Sequence, residues 1–300
     1  MDLPVAAETF LDSRLPTRAA IARGWSQQAS TVPLTDNVSQ VSSSYDRIGR
    51  SFERLLALDL TSQPCYTSAL ACLPAAEVEH LLFALGYQSP ATADARFADW
   101  RHDRPRTNNP PPLDHSCFES AFLLDWAYEF QDRSPTLTNT QIAQLLETTG
   151  VRTTAGPVIS GLTIAWKQYC ELGWAAWARL GNPVYADVVL SPTGRRADLV
   201  AGSTLIDVKV TRHTEESHAK MWLDQVLFYL FRDVDDRYKL DRLGVYLGWT
   251  GQLLTVTVDE VLAHLVDDRA ASHELRADFY AVIKDDEEEQ KRWRDAARRP

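Results

Sequence analysis

Cysteine is scarce. Cys65, Cys72, Cys117 and Cys170 are the only four in 300 residues. No two form a C-x-x-C pair, and their long, irregular spacings do not fit a zinc knuckle. Reduced thiols packed as small hydrophobes are expected, with an iron–sulfur cluster as the alternative. Long apolar runs are also missing. None approaches the ~18–20 residues of a membrane helix. The start, MDLPVAAETFLDSRLP, carries acids early and lacks the basic-then-apolar layout of a signal peptide. A cytoplasmic protein with no membrane partner is the expectation. An excess of basic charge is absent as well, the formal net charge being −10. That excludes a surface basic all round, as on proteins that coat DNA non-specifically, and leaves room for a local basic groove. No internal repeat and no long low-complexity tract occurs.

What is present is a globular composition. Hydrophobic residues make up 45 % of the chain, too many for a mostly disordered polymer. The length suggests about two domains or one decorated domain. Residues 1–43 are polar and mixed and read as a loose lead-in with short helices. From Ser44 to Leu60, Ile48, Phe52, Leu55 and Leu56 fall on one helical stripe. Residues 61–180 look helical, with apolar residues at three-to-four spacing over 76–87, 91–101, 114–131, 138–148 and 157–180. The run RPRTNNPPPLD over 104–114 breaks the pattern as an exposed loop.

The character changes at Gly181-Asn182-Pro183. The runs 184–190 (VYADVVL), 197–201 (ADLVA) and 204–210 (TLIDVKV) are short, β-branched-rich and separated by turn residues. They predict three antiparallel strands. A helix over about 217–234 and two further strands, near 242–249 and 252–258, follow. The tail from about 259 reads as helical.

One segment carries chemistry. Asp207 and Lys209 are two apart on a predicted strand and share one face, while Ile206, Val208 and Val210 face the other way. Two charges on an apolar strand are costly without partners. A hairpin brings Asp198 near Asp207. Close carboxylates repel, and a divalent cation relieves this. Hard oxygen ligands with open water positions suit Mg²⁺ or Mn²⁺. On the following helix Gln225 and Tyr229 stand at i,i+4, the chain's only Gln-x-x-x-Tyr. The bland reading makes Asp198, Asp207 and Lys209 turn and edge-strand surface groups, and Tyr229 a core residue.

This order (strand with Asp198, strand with Asp207-x-Lys209, helix with Gln-x-x-x-Tyr) resembles the PD-(D/E)xK nuclease superfamily, in its RecB-like branch. The resemblance covers about 181–258 plus the helix at 44–60. It implies an α/β (α+β) chain with a restriction-endonuclease-like mixed sheet flanked by helices. Residues 61–180 would be a helical insertion, 181–268 the nuclease core and 269–300 a charged C-terminal helix. It implies a Mg²⁺-dependent deoxyribonuclease, in phage defence or DNA repair. Asp198 and Asp207 resemble the metal ligands, Glu53 the helix acid completing them, and Lys209 the lysine that orients water. Gln225 and Tyr229 resemble the supporting pair. Asp198 here follows Arg196-Ala197 and lacks the motif's proline.

In chemical terms, a metal held by these acids and by the Val208 carbonyl would polarise a phosphate and lower the pKa of bound water. The Lys209 ammonium would balance developing charge. Arg50, Arg195, Arg196, Arg212 and Lys220 are the expected phosphate contacts, with Arg47 and Arg54 beside Arg50. His213 and His218 read as phosphate neighbours or as plain surface histidines. The segment 137–168 loosely resembles a helix-turn-helix, against simple helical packing. An inactive nuclease-fold subunit, binding nucleic acid or a protein partner through the helical insertion, is the alternative function.

Overall fold

The structure is a computed structural model. It describes residues 3–35, 45–61, 75–85, 112–133, 155–190, 196–263 and 274–285, with short pieces at 38, 41, 87–88, 101–102, 110, 138, 140–141, 144, 288 and 292. Arg195, Cys65, Cys72 and most of 91–101, 104–114 and 138–148 lie outside the described residues. The chain divides into two compact units, one of residues 1–33 with 175–296 and one of residues 34–174.

The first unit is built on a five-stranded mixed sheet, so the chain is mixed α/β. Its strands are β3 (Val184–Val189), β4 (Arg196–Ala201), β5 (Thr204–Lys209), β6 (Arg242–Leu247) and β7 (Gln252–Thr257), in that spatial order. β3, β4 and β5 form the expected antiparallel meander, and β6–β7 an antiparallel hairpin. β5 and β6 are parallel. A parallel pair needs a crossover, and α8 (Glu216–Leu230) supplies it. The β4–β5 turn uses Gly202 at φ +59°, and a Cβ there would run into the Leu180 carbonyl oxygen.

The core of this unit follows from alternation. Leu205 of β5, Leu243, Val245 and Leu247 of β6, and Leu254 and Val256 of β7 pack against Leu223, Val226, Leu227 and Leu230 of α8. On the opposite face Ile206 and Val208 are also buried, and Trp177 meets Tyr246 edge-on at 5.4 Å.

The lead-in is more ordered than its polarity suggests. It forms α1 (Val5–Arg14) and α2 (Arg18–Ala29), which belong to the sheet unit. Leu11, Ala22, Trp25 and Ala29 join the core cluster. Polar ties add to this packing. Ser26 Oγ donates to the Thr214 carbonyl at 2.6 Å, Thr17 Oγ1 to that of Val261 at 2.8 Å, and Gln252 Nε2 to that of Gln28 at 2.9 Å. Only a few apolar side chains per helix are needed when the other partner is a preformed apolar face, so the periodicity is weak.

The second unit contains α3 (Tyr45–Thr61), α4 (Ala75–Ala84), α5 (His115–Arg133) and α6 (Gly156–Gln168). Ile48, Phe52, Leu55 and Leu56 of α3 are buried, as their stripe predicts. The helix expected over 157–180 is interrupted by a π turn at Tyr169–Gly173 before α7 (Trp174–Ala178). The end of the predicted 91–101 helix is corrected: Arg101 starts β2 (Arg101–His102), paired antiparallel with β1 (Tyr87–Gln88). The two described cysteines, Cys117 and Cys170, are not joined in a disulfide, and burial pushes Cys170 up to about 11.

Asp114 caps α5. Its Oδ1 accepts from Ser116 Oγ at 2.6 Å and from the Cys117 N–H at 3.1 Å. The Ser116 hydroxyl, then the Cys117 amide, hold this carboxyl down at about 2. A carboxyl lowered in the folded chain contributes stability above its unfolded value of 3.8, lost as pH falls toward about 2. Asp114→Ala is therefore expected to cost about 1 kcal/mol at neutral pH. Urea denaturation at pH 7 and pH 2.5 checks this, and the difference from wild type should shrink at the lower pH.

Candidate metal and phosphodiester site

The β4–β5 ladder pairs Ala201 with Thr204, Val200 with Leu205 and Leu199 with Ile206. One further step sets Asp198 against Asp207. There the main-chain ladder gives way to a side chain: the Val208 N–H donates to Asp198 Oδ2 at 2.7 Å. The Asp198 carboxylate is thus tied to the peptide joining Asp207 and Val208. Its own residue is half-buried.

Asp207 alternates with Leu205 and so lies on the α8 side of the sheet. It is only 1 % exposed. Neither of its carboxylate oxygens accepts a hydrogen bond of normal geometry among the described residues. Oδ2 instead faces Lys209 Nζ at 2.6 Å. Lys209 Nζ also donates to Gln225 Oε1 at 2.9 Å, and Gln225 Nε2 donates to Tyr229 Oη at 3.1 Å. Gln225 and Tyr229 are both buried, so a single helix face carries this chain of bonds into the core.

Asp207 is buried, and among the described residues no donor satisfies its Oδ1. In a low-dielectric surround that arrangement is costly unless a cation completes it. Among the described residues, Asp198, Asp207, Lys209, Gln225 and Tyr229 are linked through these contacts. The Val208 N–H joins them through Asp198.

Glu53 lies on α3 of the helical unit and is half-buried. Of the other helix acids, Glu119 lies half-buried on α5, Glu129 binds Arg47 and Arg50, and Glu171 pairs with Lys167 at 3.8 Å. Arg50 also binds Asp125, with Nε to Oδ1 at 2.9 Å. Burial opposes its charge, yet Asp125 and Glu129 hold it more firmly protonated than usual. Arg196 pairs with Asp187. Lys220 lies 3.3 Å from Asp224, 3.6 Å from Glu8 and 3.7 Å from Asp12. The Arg212 guanidinium stands over the Trp249 ring at 6.0 Å.

Two features near the site escape the sequence reading. Asp187 sits in the middle of β3 at φ +53°, between pairs that set it opposite Asp198. An Asp inside an otherwise apolar strand run is the available sign, because Asp tolerates that conformation better than most residues. Behind Gln225, Asp224 bonds Arg18 at 3.0 Å with both side chains buried. Burial raises the Asp224 carboxyl above its ordinary value despite Arg18 and Lys220.

Comparisons with family models, curated proteins and solved structures found no match to this chain. Among the described residues no helix is long and apolar enough to cross a membrane.

Proposed function

We propose that this chain is a metal-dependent DNA nuclease with a restriction-endonuclease-like core. One observation carries the reading. Asp207 is a buried carboxylate with no normal hydrogen bond, with Lys209 against one oxygen and Asp198 fixed to the adjoining peptide. Such donors, all hard oxygens, fit Mg²⁺ or Mn²⁺.

Asp207 and Asp198 would hold the ion, with the Val208 carbonyl as a third donor. When bound, the ion would polarise the scissile phosphate and make its water more acidic. The protein supplies the rest. Lys209 presents a cation where negative charge grows during attack. Gln225 accepts from Lys209 and so limits where the ammonium points. Tyr229 Oη in turn accepts from the Gln225 amide and holds it from the core. A preorganised ammonium of this kind costs no reorganisation at the moment of reaction.

The test uses purified full-length protein and linear and circular DNA. Cleavage is expected with Mg²⁺ or Mn²⁺ and not with EDTA. Mn²⁺ is expected to raise the melting temperature of wild type and not of Asp207→Asn. Absence of cleavage together with an Mn²⁺ shift would instead favour a metal-binding but inactive nuclease-fold subunit. Absence of both overturns the metal site.

A further inference from the structure

A second group of ligating side chains lies on the loop that enters α8, over His213-Thr214-Glu215-Glu216-Ser217-His218. None of it takes part in the cleavage site described above. His213 Nδ1 lies 3.5 Å and His218 Nδ1 3.3 Å from the same atom, Glu215 Oε2. His218 Nδ1 is shielded from solvent and has no hydrogen-bond partner among the described residues. The two imidazoles are stacked, with centroids 4.5 Å apart and planes 8° from parallel. One ligand atom from each of the three residues lies within 4.8 Å of the others.

The separations have a chemical meaning. Bonds of ~2.0–2.1 Å in a tetrahedral arrangement set ligand atoms roughly 3.3–3.4 Å apart. Both imidazole-to-carboxylate distances fall close to that edge length.

The loop is also held in place. The His213 N–H donates to Thr211 Oγ1 at 3.1 Å, and Ser26 of α2 ties the Thr214 carbonyl. Glu215 itself is extended at the start of a 15-residue helix. The ligand atoms are therefore gathered by backbone geometry and not by chance meetings of long side chains.

We propose that His213, Glu215 and His218 form a binding site for one transition-metal ion of the Zn²⁺ class. Two imidazoles and one carboxylate suit Zn²⁺, Co²⁺ or Ni²⁺, whereas Mg²⁺ prefers oxygen alone. Binding turns each ring about its Cβ–Cγ bond so that the nitrogen lone pairs converge. The side chains have room for this, being 58 % and 34 % exposed. An ion here joins the loop after β5 to the first turn of α8, the helix that carries Gln225 and Tyr229. The site stands independently of the nuclease reading.

The experiment titrates EDTA-stripped full-length protein with Zn²⁺ by calorimetry, and with Co²⁺ by visible absorption, in excess Mg²⁺. Wild type and Asp207→Asn are expected to take up one ion each with equal affinity. His213→Gln combined with His218→Gln, which removes two of the three ligands, is expected to weaken binding at least roughly 100-fold, the upper cost of losing groups that only orient a ligand. Glu215→Gln, a milder change, should weaken it in the same direction. Because the three residues are exposed or half-exposed, metal-free melting should match wild type. Failure of wild type to bind overturns the site. So does uptake retained by the double variant and by Glu215→Gln, or uptake lost only in Asp207→Asn.

Discussion

Asp207→Ala is expected to lower metal-dependent DNA cleavage by about a thousandfold, some 4 kcal/mol of barrier. The same change should leave the melting temperature in EDTA unchanged or higher. The reasoning rests on an asymmetry. Asp207 is 1 % exposed and neither of its oxygens has a normal hydrogen bond. Without an ion, its desolvation is offset mainly by Lys209, at 2.6 Å. Removing the carboxylate relieves that cost. Lys209 keeps its bond to Gln225, and its side chain is still 24 % exposed to water. A residue retained for folding behaves in the opposite way, since breaking a buried pair usually costs several kcal/mol. Activity assays beside thermal melts of the same preparation distinguish the two. A variant that cleaves like wild type, or that melts far lower in EDTA, would remove Asp207 from the proposed role.

Asp125 supplies the contrasting case. It is fully buried on α5 and accepts from three arginines of α3. Arg47 donates at 3.0 Å, Arg50 at 2.9 Å and Arg54 at 3.2 Å. Glu129 takes a share of Arg47 and Arg50, and Arg47 also covers the Trp126 ring at 3.7 Å. Arg54 is itself buried. Asp125→Ala leaves these cations around an empty place and should destabilise the helical unit by about 3–5 kcal/mol. Urea unfolding followed by tryptophan fluorescence measures it. A loss below about 1 kcal/mol, the scale of an exposed pair, would mean the cluster is solvated and dispensable. The double replacement Asp125→Leu with Arg54→Met should recover part of the loss, because it removes a buried charge together with its partner.

These two carboxylates show where sequence reading reaches and where it stops. Asp207 is legible because its strand announces itself locally. An alternating apolar run places Asp207 and Lys209 on one face, and a two-residue turn brings in Asp198. The Gln225–Tyr229 spacing is likewise a property of one helix. The three arginines of α3 share a helix face, and in sequence that face reads as one awaiting phosphate. What it meets in the structure is Asp125, 71 to 78 residues away. No local pattern carries that pairing. The same holds for α1 and α2, whose sparse apolar residues become a core only against a preformed sheet unit. Short-range periodicity thus reveals elements and same-face groups, while partners brought by tertiary packing stay hidden.

The parallel pairing of β5 with β6 through α8 has a consequence for how the site comes together. Its internal bonds span short stretches of chain: ten residues from Asp198 to Val208, sixteen from Lys209 to Gln225, four from Gln225 to Tyr229. Closing such small loops sacrifices little chain entropy. Arg18, by contrast, reaches Asp224 from the far end of the sequence. The group around Asp207 is thus a product of neighbouring chain segments, and the distant N-terminal helices brace α8 through the Arg18–Asp224 pair.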